Sequence, residues 1–564
     1  MNKAISIEDL TFSYSEKEDP ALKHLQGNIE DSSFVCVLGH GGAGKSSLCY
    51  SLNGLIPRFF RGTYQGRVLV KGKEAAKQTV AQLSKQVGLV LQDFEAQLFS
   101  TNVELEMAFG PENHGLPRLE IERRLNHFLT VIGLEAMRQR QPATLSGGQK
   151  QRLAIGSVLT MEPDILVMDE PTTDLDPKGA DEVLVLAQGL RRAGRTLLMV
   201  VPEPEMAVDA DQVWLMREGD LVAQGSPREM FNDLARLKSC GIKPPCFPEL
   251  FQALNWSGLP LTLEEAVSLI RRDHPLIQKS QALRPDPATP STSCPMLEGE
   301  GLAFSYPLSD KKALRGINLT VGEGEFVALL GQNGSGKTTL AKQFNGILKP
   351  EAGQLLVKGK PTSAYSHQAL AQTVGYVFQN PDHQIFARTV EEEVGFGLKV
   401  LGLDPRTIKK RVNEVLEVVG LEGYEKKLPF TLTKGERQRV AVASVLAAQP
   451  QVLILDEPTT GLDYEHQKSI MELLKTLNQK GHTILIITHS MWVAAEYARR
   501  TVLMKDGAIL LDGPTRRVFA QEAKLSEAAL TPPPLVSLSN ALGLEALTLE
   551  QMVTELNSNV QKRN

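Results

Sequence analysis

Long apolar runs are missing from this chain of 564 residues. No stretch approaches the roughly 18 apolar residues that a membrane-spanning helix needs. Glu8 and Asp9 stand where a secretory signal would require a hydrophobic core. A surplus of positive charge is missing too. With 61 Lys+Arg against 66 Asp+Glu the formal charge is −5, which argues against nucleic acid as the main partner. Cysteine is scarce, and the five residues Cys36, Cys49, Cys240, Cys246 and Cys294 form no C-x-x-C pair. An odd, scattered set reads as reduced thiols serving as small buried apolar groups. These absences predict a cytoplasmic protein that reaches a membrane only through a partner. The length suggests about three or four units of ordinary domain size.

Glycine, in contrast, is concentrated in two places that carry chemistry. Gly39-His40-Gly41-Gly42-Ala43-Gly44-Lys45-Ser46 and Gly331-Gln332-Asn333-Gly334-Ser335-Gly336-Lys337-Thr338 both fit the P-loop spacing. Such glycines let successive backbone N–H groups curl around phosphates, the lysine neutralises the β and γ oxygens, and the Ser or Thr hydroxyl holds Mg²⁺. Ser47 and Thr339 follow directly and complete the two candidate phosphate sets. Each motif lies after an apolar, strand-like run (Phe34-Val35-Cys36-Val37-Leu38; Phe326-Val327-Ala328-Leu329-Leu330) and before a helix-like one. The chain is therefore expected to bind a nucleotide twice.

Lys45 and Lys337 lie 292 residues apart, and the correspondence continues. Asp169-Glu170-Pro171 matches Asp456-Glu457-Pro458 at an offset of 287, as do Gln92 with Gln379 and Asp176 with Asp463. The drop of five marks an insertion in the first half, within residues 57–65. Tyr14 and Tyr306 precede their P-loops by the same 25 residues. Leu261-Thr262-Leu263-Glu264-Glu265-Ala266-Val267 is echoed by Leu547-Thr548-Leu549-Glu550-Gln551-Met552-Val553, so each half carries a small C-terminal appendage. The expected boundaries are 1–235 and 297–525 for two nucleotide domains, 236–280 and 526–564 for their appendages, and 281–296 for a Pro/Ser/Thr linker.

Ile165-Leu166-Val167-Met168 and Val452-Leu453-Ile454-Leu455 are apolar enough for buried parallel strands, and each ends in Asp-Glu. Beside a P-loop, Asp169 or Asp456 would bind Mg²⁺ through water, and Glu170 or Glu457 would polarise the attacking water. Leu145-Ser146-Gly147-Gly148-Gln149-Lys150-Gln151-Arg152 opens a further helix with its backbone donors exposed, a second anion site.

P-loop, glutamine loop, Leu-Ser-Gly-Gly-Gln signature and Asp-Glu-Pro, in this order over nearly the whole chain, resemble the ATP-binding cassette ATPases. The resemblance implies an α/β fold with two P-loop domains in tandem, each with a parallel-sheet core and a helical subdomain, and an enzyme that hydrolyses ATP with Mg²⁺. It implies that Gln92 and Gln379 assist catalysis and the metal, and that Tyr14 and Tyr306 stack on adenine, with an ordinary strand tyrosine as the alternative. In that family two cassettes pair head to tail, so Ser146, Gly147, Gly148 and Gln149 would meet the second P-loop, and Thr433 and Gly435 the first. A tandem chain would supply both members of the pair. Asp174-Leu175-Asp176 and Gly461-Leu462-Asp463 resemble the loops that couple the two sites; simple helix capping is the alternative.

Phe378-Gln379-Asn380-Pro381-Asp382-His383-Gln384-Ile385-Phe386, with the looser Leu91-Gln92-Asp93-Phe94-Glu95-Ala96-Gln97-Leu98-Phe99, is similar to the glutamine-loop region of energy-coupling factor importers. Such importers pair two cassettes with a membrane-embedded coupling protein and a small membrane substrate-binding protein. The resemblance places the chain on the cytoplasmic face of the cell membrane and is nearest to tandem ATPases of hydroxymethylpyrimidine or thiamine importers. A tandem cassette ATPase acting on ribosomes is the rival. That class joins its cassettes by a long charged helical arm, whereas this linker is Pro-rich. The fused ATPase of sugar importers would show a degraded second P-loop, and Lys337 and Thr338 are intact.

The halves depart from each other at two points. The second signature reads Leu432-Thr433-Lys434-Gly435-Glu436, which loses a glycine and brings Glu436 near an expected anion, although Lys434 could itself serve as a phosphate ligand. The switch histidine of the family is matched by His489, whereas Pro202 holds the corresponding place in the first half. Both departures bear on the first P-loop. The expectation is efficient hydrolysis at the second P-loop and slow turnover at the first.

Overall fold

In the computed structural model the described residues are 3–15, 19–173, 175–274, 294–307 and 312–561. Most of the expected linker, 281–293, and Asp174 fall outside them. The chain divides into two compact units, 1–266 and 267–564. The appendage helices are Leu263–Asp273, which crosses that division, and Leu549–Gln561.

The first unit is built on a six-stranded sheet in the order Asp220–Gly225, Gln212–Arg217, Phe34–Leu38, Thr196–Val200, Ile165–Asp169, Val87–Val90. All neighbours run parallel except the first two, which form an antiparallel hairpin at the edge. The strand Phe34–Leu38 is buried along its whole length. Phe34, Cys36 and Leu38 enter one core with the helices, while Val35 and Val37 enter a second core on the other face. A strand covered on both faces reads as a continuous apolar run rather than an alternation, which is why the sequence shows it so clearly.

The parallel core implied by the resemblance is only part of the architecture. The second face is covered by a separate four-stranded antiparallel sheet, Leu22–Glu30, Lys3–Tyr14, Gly62–Val70 and Lys73–Glu74. Its main strands are longer than those of the parallel core but alternate buried and exposed residues, so they carry no comparable apolar run. On the opposite face the helices Val103–Asn113, Arg118–Ile132 and Gly147–Leu159 form a helical subdomain joined by Met107, Leu125, Phe128, Leu129, Leu153 and Val158.

The second unit repeats this plan. Its six-stranded sheet runs Val374–Val377, Val452–Asp456, Thr483–Ile487, Phe326–Leu330, Arg500–Lys505, Ala508–Pro514. Phe326, Ala328 and Leu330 face the helical core, and Val327 and Leu329 face the antiparallel sheet. The insertion in the first half appears as a short helix, Leu55–Arg58, and a lengthened strand, Gly62–Val70. That strand pairs as far as Tyr14 with Gly62, whereas the second unit stops at Ala303 with Ala352.

Candidate functional site

Each P-loop joins the central strand to a helix, Lys45–Leu52 or Lys337–Phe344. The turn needs glycine: Gly44 and Gly336 sit at φ 95° and 101°, and a Cβ there would come within 2.5 Å of the Ala21 and Ala313 carbonyl oxygens. Lys45 Nζ donates to the carbonyls of Gly39 (2.8 Å) and His40 (3.0 Å). Lys337 Nζ does the same to Gly331 (2.7 Å) and Gln332 (3.0 Å). Both lysines are buried and folded over loops that carry Gly41, Gly42, Asn333 and Gly334. Their charge is thus held inside the curl of backbone that would surround phosphate.

Asp169 and Asp456 end the strands Ile165–Asp169 and Val452–Asp456. Immediately after each, the backbone turns left-handed, at φ 46° for Glu170 and 49° for Glu457. This is a costly conformation for glutamate, roughly 1–3 kcal/mol in its own right, and it recurs at the same place in both units. In the first unit Glu170 Oε2 accepts from Gln92 Nε2 at 3.0 Å and from Thr173 Oγ1 at 3.2 Å, and Oε1 lies 3.5 Å from Lys45 Nζ. In the second, Glu457 Oε2 is 2.9 Å from His489 Nδ1 and 3.3 Å from the His489 amide. Gln379 is exposed just beyond the strand Val374–Val377. Pro202 is also exposed, directly after the buried Val200 and Val201. It brings no imidazole and no N–H to Glu170.

The donors suit a hard, oxygen-seeking cation. Thr338 Oγ1 donates to Asp456 Oδ1 at 3.1 Å. Ser46 is the corresponding hydroxyl beside Asp169. Neither carboxylate oxygen of the buried Asp169 accepts a well-formed hydrogen bond, Ser46 standing near it without the geometry of one. Burial pushes its pKa up to about 6, against the pull of Ser46 and Lys45. A buried carboxylate without a donor is unfavourable unless a cation or its water occupies the place, so the residues present fit Mg²⁺.

Tyr14 ends the strand Lys3–Tyr14 and Tyr306 directly follows Pro295–Ser305, each with the hydroxyl turned to the P-loop helix: Tyr14 Oη lies 2.9 Å from Ser47 Oγ and Tyr306 Oη 3.1 Å from Thr339 Oγ1. Their surroundings differ. Phe60, from the insertion, sets its edge to Tyr14 at 6.2 Å and stacks on Tyr50 at 5.0 Å. Tyr306 lacks that wall and is 41% exposed.

Ser146 caps the helix Gly147–Leu159 through a reciprocal pair with Gln149, and Thr433 caps Lys434–Leu446 through the same pair with Glu436. The Glu436 carboxylate accepts from the Thr433 amide (2.8 Å), the Thr433 hydroxyl (2.9 Å) and Tyr424 Oη (2.9 Å), and these bonds outweigh burial to hold its pKa below the usual carboxylate range. Its charge is used within its own helix cap. The Lys434 side chain lies over Gly461 of the same unit, where a Cβ would collide with Nζ. Asp176 and Asp463 cap the helices Pro177–Arg192 and Tyr464–Gln479, which is the capping role the sequence left open.

Sequence reasoning missed Tyr376, whose hydroxyl donates to Asp456 Oδ2 at 2.8 Å. It also missed two exposed aromatic pairs. Phe99 and Phe109 meet edge to face at 4.7 Å, and Phe386 and Phe396 at 4.8 Å. The offset of 287 relates one pair to the other, and comparing the halves for exposed aromatics near the glutamine loops would have found both.

Two P-loop units, each with an Asp-Glu strand end beneath the phosphate loop, define a tandem nucleotide hydrolase. The profile of the ABC transporter family matches residues 22–173 and 314–460. The chain belongs to that family and is an ATP-hydrolysing enzyme of it. It is 48% identical to an ABC transporter ATP-binding protein of Caldanaerobacter subterraneus subsp. tengcongensis, over 98% of this chain and 99% of the relative. It is 41% identical to another so named in Methanosarcina acetivorans, over 94% and 89%. Among solved structures it is similar to cbiO1 from Clostridium perfringens, described as part of the ABC transporter complex cbiONQ. The identity there is 39%, the TM-score 0.38, and the match covers 43% of this chain and 98% of that one.

Proposed function

We propose that this chain is the energy-coupling ATPase subunit of a membrane importer for a vitamin, vitamin precursor or transition-metal ion. It works on the cytoplasmic face with a membrane-embedded coupling protein and a small membrane substrate-binding protein, one chain supplying both cassettes. The observation that carries this reading is the matched aromatic pairs beside the two glutamine loops. Phe99 and Phe109 are 63% and 48% exposed, and Phe386 and Phe396 are 62% and 46% exposed. Paired exposed rings at the same place in each unit suit the docking of apolar or amphipathic helices, one on each cassette. Among the described residues no helix is long and apolar enough to cross a membrane, so the reading assigns the crossing to partners.

Hydrolysis in this reading is unequal. Glu457 with His489 polarises water at the second P-loop, while the first, where Pro202 holds the place of the histidine, turns over slowly. ATP supplies the cleavable phosphoryl group and Mg²⁺ neutralises its charge when bound. The cassette residues orient the water and hold the phosphates. Mass spectrometry of proteins that co-purify with this chain from its host in mild detergent tests the proposal. Two small hydrophobic proteins are expected, and ribosomal proteins in their place would overturn the importer reading in favour of the ribosome-acting ATPase.

A further inference from the structure

The two units share their metal-facing carboxylates but not what holds them. In the second unit Tyr376 is the third residue of the strand Val374–Val377, pairs in register with Ile454, and is 6% exposed. Its side chain lies in the core beneath the antiparallel sheet, with the ring edge against Phe378 at 5.1 Å. From there Oη reaches Asp456 Oδ2 at 2.8 Å, while Thr338 Oγ1 reaches the other oxygen at 3.1 Å. Burial and the neighbouring Asp456 charge raise the phenol well above its ordinary pKa, so it is protonated and donates. Both oxygens of Asp456 are therefore fixed before any ligand arrives.

The same strand position in the first unit is Leu89, paired with Val167. Leucine has no donor. Asp169 is 1% exposed; Ser46 stands near enough to lower its pKa, but neither oxygen accepts a well-formed hydrogen bond and nothing takes the place of the tyrosine hydroxyl. A carboxylate already oriented needs no rearrangement when a hydrated cation binds, and groups that orient metal-binding carboxylates typically change metal affinity by about 10–100-fold.

We propose that Tyr376 is a positioning residue for the divalent cation of the second unit, acting through Asp456, and that Leu89 leaves the first unit with the weaker cation site. The inference rests on the reading that each P-loop with its strand-end aspartate holds Mg²⁺. The two sites then load at different cation concentrations. Only the second is filled when Mg²⁺ is scarce.

The test uses Mn²⁺ as the probe. Free Mn²⁺ is measured by electron paramagnetic resonance while it is titrated into the full-length chain with saturating ADP. Two sites per chain are expected, with dissociation constants about tenfold apart. Y376F, which keeps the ring and removes the hydroxyl, should bring the tighter site close to the weaker one and leave ADP binding in EDTA unchanged. L89Y should tighten the weaker site. Two equal sites in the unaltered chain, or unchanged constants in Y376F, would overturn the proposal. So would a Y376F chain that loses ADP binding in EDTA as well, because the tyrosine would then be only a packing group. Absence of any ADP-dependent Mn²⁺ binding would remove the nucleotide-site reading, and the proposal with it.

Discussion

Replacing Glu457 by Gln removes one charge and almost no volume, so its effect isolates the carboxylate. In the second unit that carboxylate is 7% exposed as a side chain and lies 2.9 Å from the His489 imidazole, with the His489 amide at 3.3 Å on the same oxygen. A positioned base of this kind contributes roughly 10²–10⁴ in rate. If nearly all turnover occurs there, Glu457→Gln leaves about 1% of the phosphate release or less at saturating MgATP. Glu170 faces Gln92, Thr173 and Lys45, with no imidazole bonded to it among the described residues, so Glu170→Gln leaves more than about half. Neither variant should lose nucleotide binding, because the P-loop lysines and backbone are untouched. That is checked by equilibrium binding of a labelled ATP analogue to both. The assay is steady-state phosphate release by the purified chain, with the double variant as the floor. Equal losses in the two single variants would refute the reasoning, since the difference between Pro202 and His489 would then have no consequence for hydrolysis.

His489→Ala should lower turnover on the order of 10², whereas Pro202→Ala should change it by less than about twofold; phosphate release checks both. Asp169→Asn should stabilise the nucleotide-free first unit in EDTA. The folded pKa of about 6 stands above the ordinary aspartate value of 3.8, so the folded state favours the proton and the ionised carboxylate weakens the fold increasingly from about pH 4 and fully above about pH 6. The gain is roughly 2–3 kcal/mol at pH 8 and vanishes below about pH 4, read by native-state hydrogen exchange of the strands Phe34–Leu38 and Ile165–Asp169. Changing Phe386 and Phe396 together to Ser should shift stability by less than about 0.5 kcal/mol in chemical denaturation and sharply reduce the membrane proteins recovered with the chain.

The P-loops, the strand-end Asp-Glu pairs and the duplication were legible because each depends on local pattern: glycine spacing, a doubly buried strand, a constant offset. The insertion within residues 57–65 was also legible from the change of offset, but not its effect, which is to lengthen a strand and bring Phe60 to Tyr14. The antiparallel sheets were not legible, since their strands mix polar and apolar residues and their pairing with Gly62–Val70 reaches across the P-loop and its helix. Lys434 and Glu436 show the limit most plainly. Their charges are visible in the sequence, but their partners, Gly461 and Tyr424, come from other segments. Tyr376 was missed because only the neighbouring strand supplies the carboxylate that gives its hydroxyl a purpose.

The tryptophans of this chain stand in unequal relation to the chemistry. Trp214 is fully buried in the sheet of the first unit, and Trp256 packs edge-on to Phe251 in its appendage. Trp492 is different: it is the second residue of the helix Met491–Tyr497, three places after His489, with Tyr464 at 5.8 Å and Tyr497 at 6.2 Å from its ring. The first unit has Glu205 at the matching place. The protein thus carries an intrinsic optical probe beside one switch segment and none beside the other. With Trp214 and Trp256 changed to Phe, so that the first half is silent, emission from Trp492 is expected to follow events at the switch segment of the second unit in real time and without any label.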